Sequence, residues 1–238
     1  MSKIIATLLF LLASSVNALP LEAYDISKSW EKAEVHVPGN FFTKHINTVE
    51  VTTPLPVVVL MHGCTGITTE ETQWARLLKD NGYIVVLPNS FAIPNRVVNC
   101  STTEKINNLR LVPVNRLRPA EVAYAMSQLK TMKWANKQRI FLMGHSEGAM
   151  AVTRTPDMGF KGVIVSGFVC SLGVMASSAT PILAISWSDD PYFPLKSFQC
   201  DSQWGDRTNG KLILLQGQAH GTVSSVEARQ AVISFLEQ

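Results

Sequence analysis

Arg139-Ile-Phe-Leu-Met-Gly-His-Ser-Glu-Gly-Ala-Met150 is the stretch from which the rest of the chain can be read. Four apolar residues, Ile140 to Met143, run directly into Gly144-His145-Ser146-Glu147-Gly148, and small residues follow. An apolar run of this length predicts a buried strand, and the small residues after it predict a helix. A G-x-S-x-G at a strand-to-helix junction forms a nucleophile elbow, which lifts the serine hydroxyl above the end of a sheet. The glycines are expected for a steric reason. Ser146 would sit in strained backbone, and a side chain at 144 or 148 would strike the neighbouring strand or helix.

Working outward, strand and helix patterns alternate. Residues 31–38 and 46–53 read as two early β-branched strands, antiparallel and at a sheet edge. Pro56 to Met61 is a continuous apolar run, as in a strand covered on both faces. Thr69 to Asn81 has Trp74, Leu77 and Leu78 on one helical side and Gly82 as a stop. Further strands are expected at 83–87, 139–144, 162–169, 181–186 and 211–215. A helix at 119–132 would carry Pro119 near its first turn, and an amphipathic helix at 224–236 would close the chain. The predicted fold class is α/β: a doubly wound, mostly parallel sheet with helices on both faces. Chemistry in such sheets gathers at the carboxyl ends of the strands.

A serine hydroxyl needs a base to take its proton, and the base needs a carboxylate to orient it. Five histidines are available, namely His36, His45, His62, His145 and His220. An elbow of this type is followed in the chain first by its acid and then by its histidine. Only His220 lies after Ser146 and outside the elbow, in the loop behind strand 211–215. The acid should follow strand 181–186, where Asp189 and Asp190 both stand. Two backbone N–H groups should receive the oxyanion. The candidates are Glu147, at the start of the helix after Ser146, and Cys64, in His62-Gly63-Cys64-Thr65-Gly66 after the first buried strand. The His62 ring is expected to hydrogen-bond to loop backbone rather than to react.

These motifs resemble the α/β-hydrolase superfamily, and within it the dienelactone hydrolase-like group. The resemblance runs from Val57 to the last helix and rests on His62 to Gly66, Gly82-Tyr83 to Pro88, Gly144 to Gly148, Asp190 and His220. Phe193-Pro194 is similar to the apolar-proline pair that trails the acid in such enzymes, which favours Asp190 over Asp189. The resemblance implies a serine esterase or lactonase, working through an acyl-enzyme without metal or cofactor. Dienelactone hydrolases proper carry cysteine at the elbow, so their particular substrate does not transfer to a chain with Ser146.

Other features shape the expected site. Phe91, Trp187 and Tyr192 fall on loops at the active face and are candidates for the substrate pocket. Arg118 and Glu121 read as a helix-start charge pair, with a buried pair beneath the elbow as the alternative. The stretch Asn89 to Leu117 is expected to be a long loop partly covering the site. No insertion large enough for a helical lid follows strand 162–169. A minimal cap and a shallow site suited to small esters or polymer ends are therefore expected.

Residues 1–18 have the form of an export signal: Lys3, the apolar run Ile4 to Ala13, and small residues ending at Ala18, with cleavage expected before Leu19. Residues 19–238 suffice for one domain. Only 16% of residues are charged, the net charge is +3, and the basic residues are scattered. That pattern excludes a nucleic-acid stripe and a polybasic membrane anchor. The four cysteines, Cys64, Cys100, Cys170 and Cys200, allow three pairings. In the expected fold they lie in successive loops past the strand ends, which suggests Cys64–Cys100 and Cys170–Cys200. Buried free thiols are the alternative. A monomer acting on a small-molecule ester, secreted or periplasmic, is expected. A peptidase or acyltransferase on the same triad, or a binding module without turnover, are the other readings.

Overall fold

The structure is a computed structural model, and it describes residues 20–98, 100, 108–193 and 200–238. The expected signal segment lies outside those residues. Among them, β1 (Glu34–His36), β2 (Lys44–His45), β3 (Leu55–Met61), β4 (Ile84–Leu87), β5 (Ala135–His145), β6 (Gly162–Ser166), β7 (Ile182–Trp187) and β8 (Gly210–Leu215) make one sheet in the order β2-β1-β4-β3-β5-β6-β7-β8. From β4 to β8 every pairing is parallel, and β1 pairs antiparallel with both β2 and β4. The doubly wound, mostly parallel sheet is thus as expected.

The helices are α1 (Ser27–Glu31), α2 (Thr69–Asp80), α3 (Asn108–Leu129), α4 (Glu147–Thr153) and α5 (Val226–Leu236). Alternation along the strands explains how both sheet faces are covered. Val57, Val59 and Met61 of β3 join one apolar core with Trp30 of α1, Val122 and Met126 of α3, and Met150 of α4. Val58 and Leu60 join a second core with Trp74 and Leu78 of α2 and Val232 and Phe235 of α5. No described helix is long and apolar enough to cross a membrane.

The largest differences from expectation concern the two early strands and one helix; β5 also starts earlier, at Ala135, and β6 ends earlier, at Ser166. The early strands are shorter than 31–38 and 46–53: α1 fills the approach to β1, and a 3₁₀ turn over Ile46–Thr48 follows β2. Ile46 is buried in the core as an anchor rather than extending a ladder. Most importantly, α3 starts at Asn108 instead of Pro119 and contains both Pro113 and Pro119. An interior proline costs a helix about 3 kcal/mol, but α3 buries Val114, Leu117, Val122, Ala125, Met126 and Leu129, and that burial outweighs it. Residues 108–117 of the expected loop Asn89 to Leu117 are thus helical, while its residues 99 and 101–107 lie outside the described residues.

Cys64 and Cys100 are joined by a disulfide, as are Cys170 and Cys200, with Cα–Cα distances of 5.7 and 4.8 Å. The first links the segments after β3 and β4, the second those after β6 and β7. Both pairs connect neighbours in the sheet, one on each side of β5.

Candidate active site

Strand β5 delivers Ser146 at the carboxyl end of the sheet, where Gly144 pairs with Met61 and His145 with Ser166. Ser146 has φ 54° and ψ −118°. A non-glycine residue held there costs on the order of 1–3 kcal/mol. Ser146 N–H donates to Ser166 O at 2.9 Å, while its own carbonyl accepts from Met150 N–H at 3.0 Å, which starts α4. The two elbow glycines have no room for side chains. A Cβ at 144 would lie 2.2 Å from Gly148 O, and one at 148 would lie 2.0 Å from Met61 O.

Ser146 opens onto a pocket of about 80 Å³ that His220, His145, Tyr192, Cys64 and Thr65 also line. His220 comes from the loop between β8 and α5, and its Nδ1 lies 2.8 Å from Asp190 Oδ2. The other oxygen of Asp190 accepts N–H bonds from Tyr192 at 2.8 Å and Phe193 at 3.3 Å. The turn after β7 thus fixes the carboxylate with one oxygen toward the ring. Asp190 is buried, whereas Asp189 is exposed and accepts from the hydroxyl of its neighbour Ser188. The His220 ring packs against His145, Tyr192 and Phe193, with centroids 4.8, 4.6 and 5.8 Å away. Burial, reinforced by His220, pulls His145 down to about 4, so its ring is a neutral wall at neutral pH.

The second rim of the pocket is the turn Gly63 to Gly66, closed by Gly66 N–H donating to Gly63 O at 3.2 Å. Cys64 lies in this turn and Glu147 at the first position of α4, the two locations expected to supply oxyanion donors. The bridge from Cys64 to Cys100 forms part of the pocket wall. His62, fully buried, sits behind the turn as expected of a backbone-bonded ring. Its Nδ1 lies 2.6 Å from Gly63 O, and its Nε2 accepts from Ser90 N–H at 3.0 Å. Burial and then the Arg118 charge hold it far below the usual histidine range, so it stays neutral.

Beneath the elbow lies a buried charge cluster. Arg96 donates to Glu147 Oε1 at 2.5 Å and to Ser90 Oγ at 2.6 Å. Arg118 donates to Glu121 at 3.1 Å and to His62 O at 2.6 Å, and its Nε lies 3.4 Å from Glu147. Ser90 Oγ donates to Glu121 at 2.6 Å. The Arg118–Glu121 pair is therefore buried in the middle of α3, not an exposed pair at a helix start. With α3 beginning earlier, both residues fall on its inward face. Burial raises the Glu147 carboxyl even with both guanidiniums beside it.

Of the three aromatic pocket candidates, only Tyr192 lines this pocket. Phe91 stands half-exposed under the Arg96 guanidinium, 4.4 Å from its ring centre. Trp187 braces the histidine loop, its indole N–H donating to Gly221 O at 2.9 Å. Sequence reasoning missed Glu70 and Glu71. Thr68-Thr-Glu-Glu71 carries the T-x-x-E signature of a capping box, and the box is formed at the start of α2. Among the described residues, no group of three or more His, Cys, Asp or Glu side chains could hold a metal ion.

No protein-family profile matches this sequence, and a sequence search finds no curated relative. Solved structures do match. The structure is similar to esterase PE8 (TM-score 0.59, 17% identity, 78% of this chain and 93% of that one). It is also similar to a phospholipase/carboxylesterase from Dyadobacter fermentans (TM-score 0.58, 19% identity, 80% and 93% covered). A third is an α/β serine hydrolase without a lid from Xanthomonas campestris (TM-score 0.55, 13% identity, 86% and 87% covered). At such identities the likeness is one of architecture, and together with the strand order and the elbow it means that this chain has the α/β-hydrolase fold.

Proposed function

We propose that the protein is an exported serine hydrolase that cleaves carboxylic esters with small acyl groups. The observation that carries this reading is the Asp190–His220 hydrogen bond, directed into the same pocket as the strained Ser146. In the proposed cycle Ser146 Oγ attacks the ester carbonyl carbon while His220 Nε2 takes its proton. Asp190 fixes the tautomer with Nδ1–H and stabilises the imidazolium. The oxyanion is received by the N–H groups of Cys64 and Glu147. Collapse expels the alcohol, protonated by Nε2, and leaves an acyl-enzyme. Water, deprotonated by the same nitrogen, attacks the acyl carbon, and collapse releases the acid as Nε2 returns the proton to Ser146 Oγ. The small pocket volume favours short acyl groups, and the two disulfides support maturation in an oxidising compartment. The esterase names borne by the structural neighbours add to the case for ester substrates.

Fluorophosphonate labelling together with a p-nitrophenyl ester series tests this. Labelling should be lost in Ser146→Ala and His220→Ala, and turnover should fall from C2 toward C12. A folded wild type that neither labels nor turns over would point to a binding module. Activity rising steeply with chain length would overturn the short-acyl assignment.

A further inference from the structure

Two consecutive carboxylates at the start of α2 reach in different directions, and each holds one rim of the pocket. Glu71 is 1% exposed. Its Oε1 accepts the Gly63 N–H at 3.0 Å, and its Oε2 accepts the Thr68 N–H and hydroxyl at 2.8 and 2.6 Å. It thereby ties the turn bearing Cys64 to the helix cap. Glu70 Oε1 accepts the N–H groups of Thr222 and Val223 at 2.7 and 2.9 Å, the amides that follow His220-Gly221. The Trp74 indole N–H donates to the same oxygen at 2.9 Å and steadies it. Contact with the histidine loop is so close that a Cβ at Gly221 would lie 2.4 Å from Glu70 Oε2. The two loops share no strand and are far apart in sequence, so the first turn of α2 is a rigid gauge between them.

We propose that Glu70 and Glu71 are positioning residues. Glu71 sets the oxyanion turn at Gly63-Cys64, Glu70 sets the loop of His220, and their adjacency on one helix turn fixes the distance between donor and base. The inference rests on the hydrolase reading above. A capping box alone would predict only that Glu71 affects stability. Acceptance of the Gly63 N–H, next to the proposed oxyanion donor, predicts an effect on the chemical step, because a donor displaced by a fraction of an ångström no longer matches the developing charge.

The donor pattern separates the two residues. All three bonds to Glu70 fall on one oxygen, so a glutamine carbonyl can keep them. Both oxygens of Glu71 are occupied, so a glutamine must turn its NH₂ toward a donor and lose at least one bond. The test is kcat, KM and the pH–rate profile on p-nitrophenyl acetate for Glu70→Ala, Glu70→Gln, Glu71→Ala and Glu71→Gln, with thermal midpoints to show which variants fold. For Glu71→Ala we expect kcat to fall roughly 100-fold with KM within about threefold, and for Glu71→Gln an intermediate fall. Glu70→Ala should lower kcat and shift the acid limb of the profile, and Glu70→Gln should restore both. A kcat in the folded Glu71 variants within about threefold of wild type would overturn the proposal, as would Glu70→Gln failing as badly as Glu70→Ala. A wild type with no turnover and no fluorophosphonate label would instead sink the hydrolase reading, and this inference with it.

Discussion

Replacing Arg118 with methionine is the sharpest test of the charge cluster under the elbow. The side chain is fully buried, and its guanidinium is bonded to Glu121 at 3.1 Å and to His62 O at 2.6 Å, with Glu147 3.4 Å away. At an effective dielectric constant of ~20, each carboxylate contact carries about 5 kcal/mol of attraction. Most of that is offset by the cost of drying both ions, so the pair adds little net stability when complete. Removal of the arginine alone is different. Glu147 keeps Arg96, whereas among the described residues Glu121 keeps only the Ser90 hydroxyl as a hydrogen-bond donor, with the Arg96 charge beyond ion-pair distance. A buried carboxylate that loses its ion-pair partner costs about 3–5 kcal/mol. That is a large share of a typical folding free energy of about 5–15 kcal/mol. In a chain of this size it lowers the melting midpoint by roughly 10 °C. Adding Glu121→Gln removes the stranded charge yet keeps an acceptor for Ser90, so the double variant should regain about 1–3 kcal/mol. Urea unfolding followed by tryptophan fluorescence, with both disulfides intact, measures all four proteins: wild type, each single variant and the double variant. A cost below about 1 kcal/mol for Arg118→Met, or a double variant as unstable as the sum of the singles, would refute the reasoning.

Asp190→Asn should reduce kcat by about 10³–10⁴-fold by allowing the wrong histidine tautomer, while Asp189→Asn, at an exposed carboxylate bonded to Ser188, should stay within about threefold. Comparable steady-state rates for the two would show that the acid is misassigned. Stability should also fall in mild acid. Burial pulls both His36 and His145 down to about 4 from an ordinary 6.5, with Lys79 and Arg76 adding to the effect at His36 and His220 at His145. Between pH 6.5 and 4 the unfolded chain takes up protons that the folded one refuses, so stability is full above 6.5 and declines as pH falls toward 4. At pH 5 the loss is about 2 kcal/mol per histidine. Denaturation curves of His36→Gln at pH 7 and pH 5 should show a smaller decline than wild type; equal declines would rule His36 out.

The architecture was legible in the sequence because parallel strands buried on both faces are continuous apolar runs. β3, β5, β6 and β7 could be read from Val57-Val-Val-Leu, Ile140-Phe-Leu-Met, Val163-Ile-Val and Ile182-Leu-Ala-Ile without any tertiary information. The elbow was legible because its whole G-x-S-x-G signature sits in five consecutive residues, although only Gly144 is demanded by a local contact and Gly148 is demanded by the distant Met61 carbonyl. What escaped depends on distant partners. Pro119 looks like a helix start because proline's local cost is visible, whereas the packing that carries α3 through it is not. Arg118 has the composition of a surface residue, and only the convergence of Glu147, Glu121 and His62 shows why it is buried. Glu70 finds its acceptor role at Thr222 and Val223, some 152 residues away, a separation at which no local pattern gives notice.

The two disulfides repeat the neighbour order of the sheet beyond the point where its hydrogen bonds end. β3 lies beside β4 and β6 beside β7, and each bridge joins the segments leaving one such pair. Either alternative pairing would carry sulfur across the end of β5, from the β3–β4 side to the β6–β7 side. Even the shortest such crossing spans two strand spacings, about 9.5 Å, beyond the roughly 7 Å reach of a disulfide. Strand order thus acts as a template for oxidation: a chain whose sheet forms before its thiols react is steered to one of three connectivities. A chain oxidised before its sheet forms has no such guide among the three.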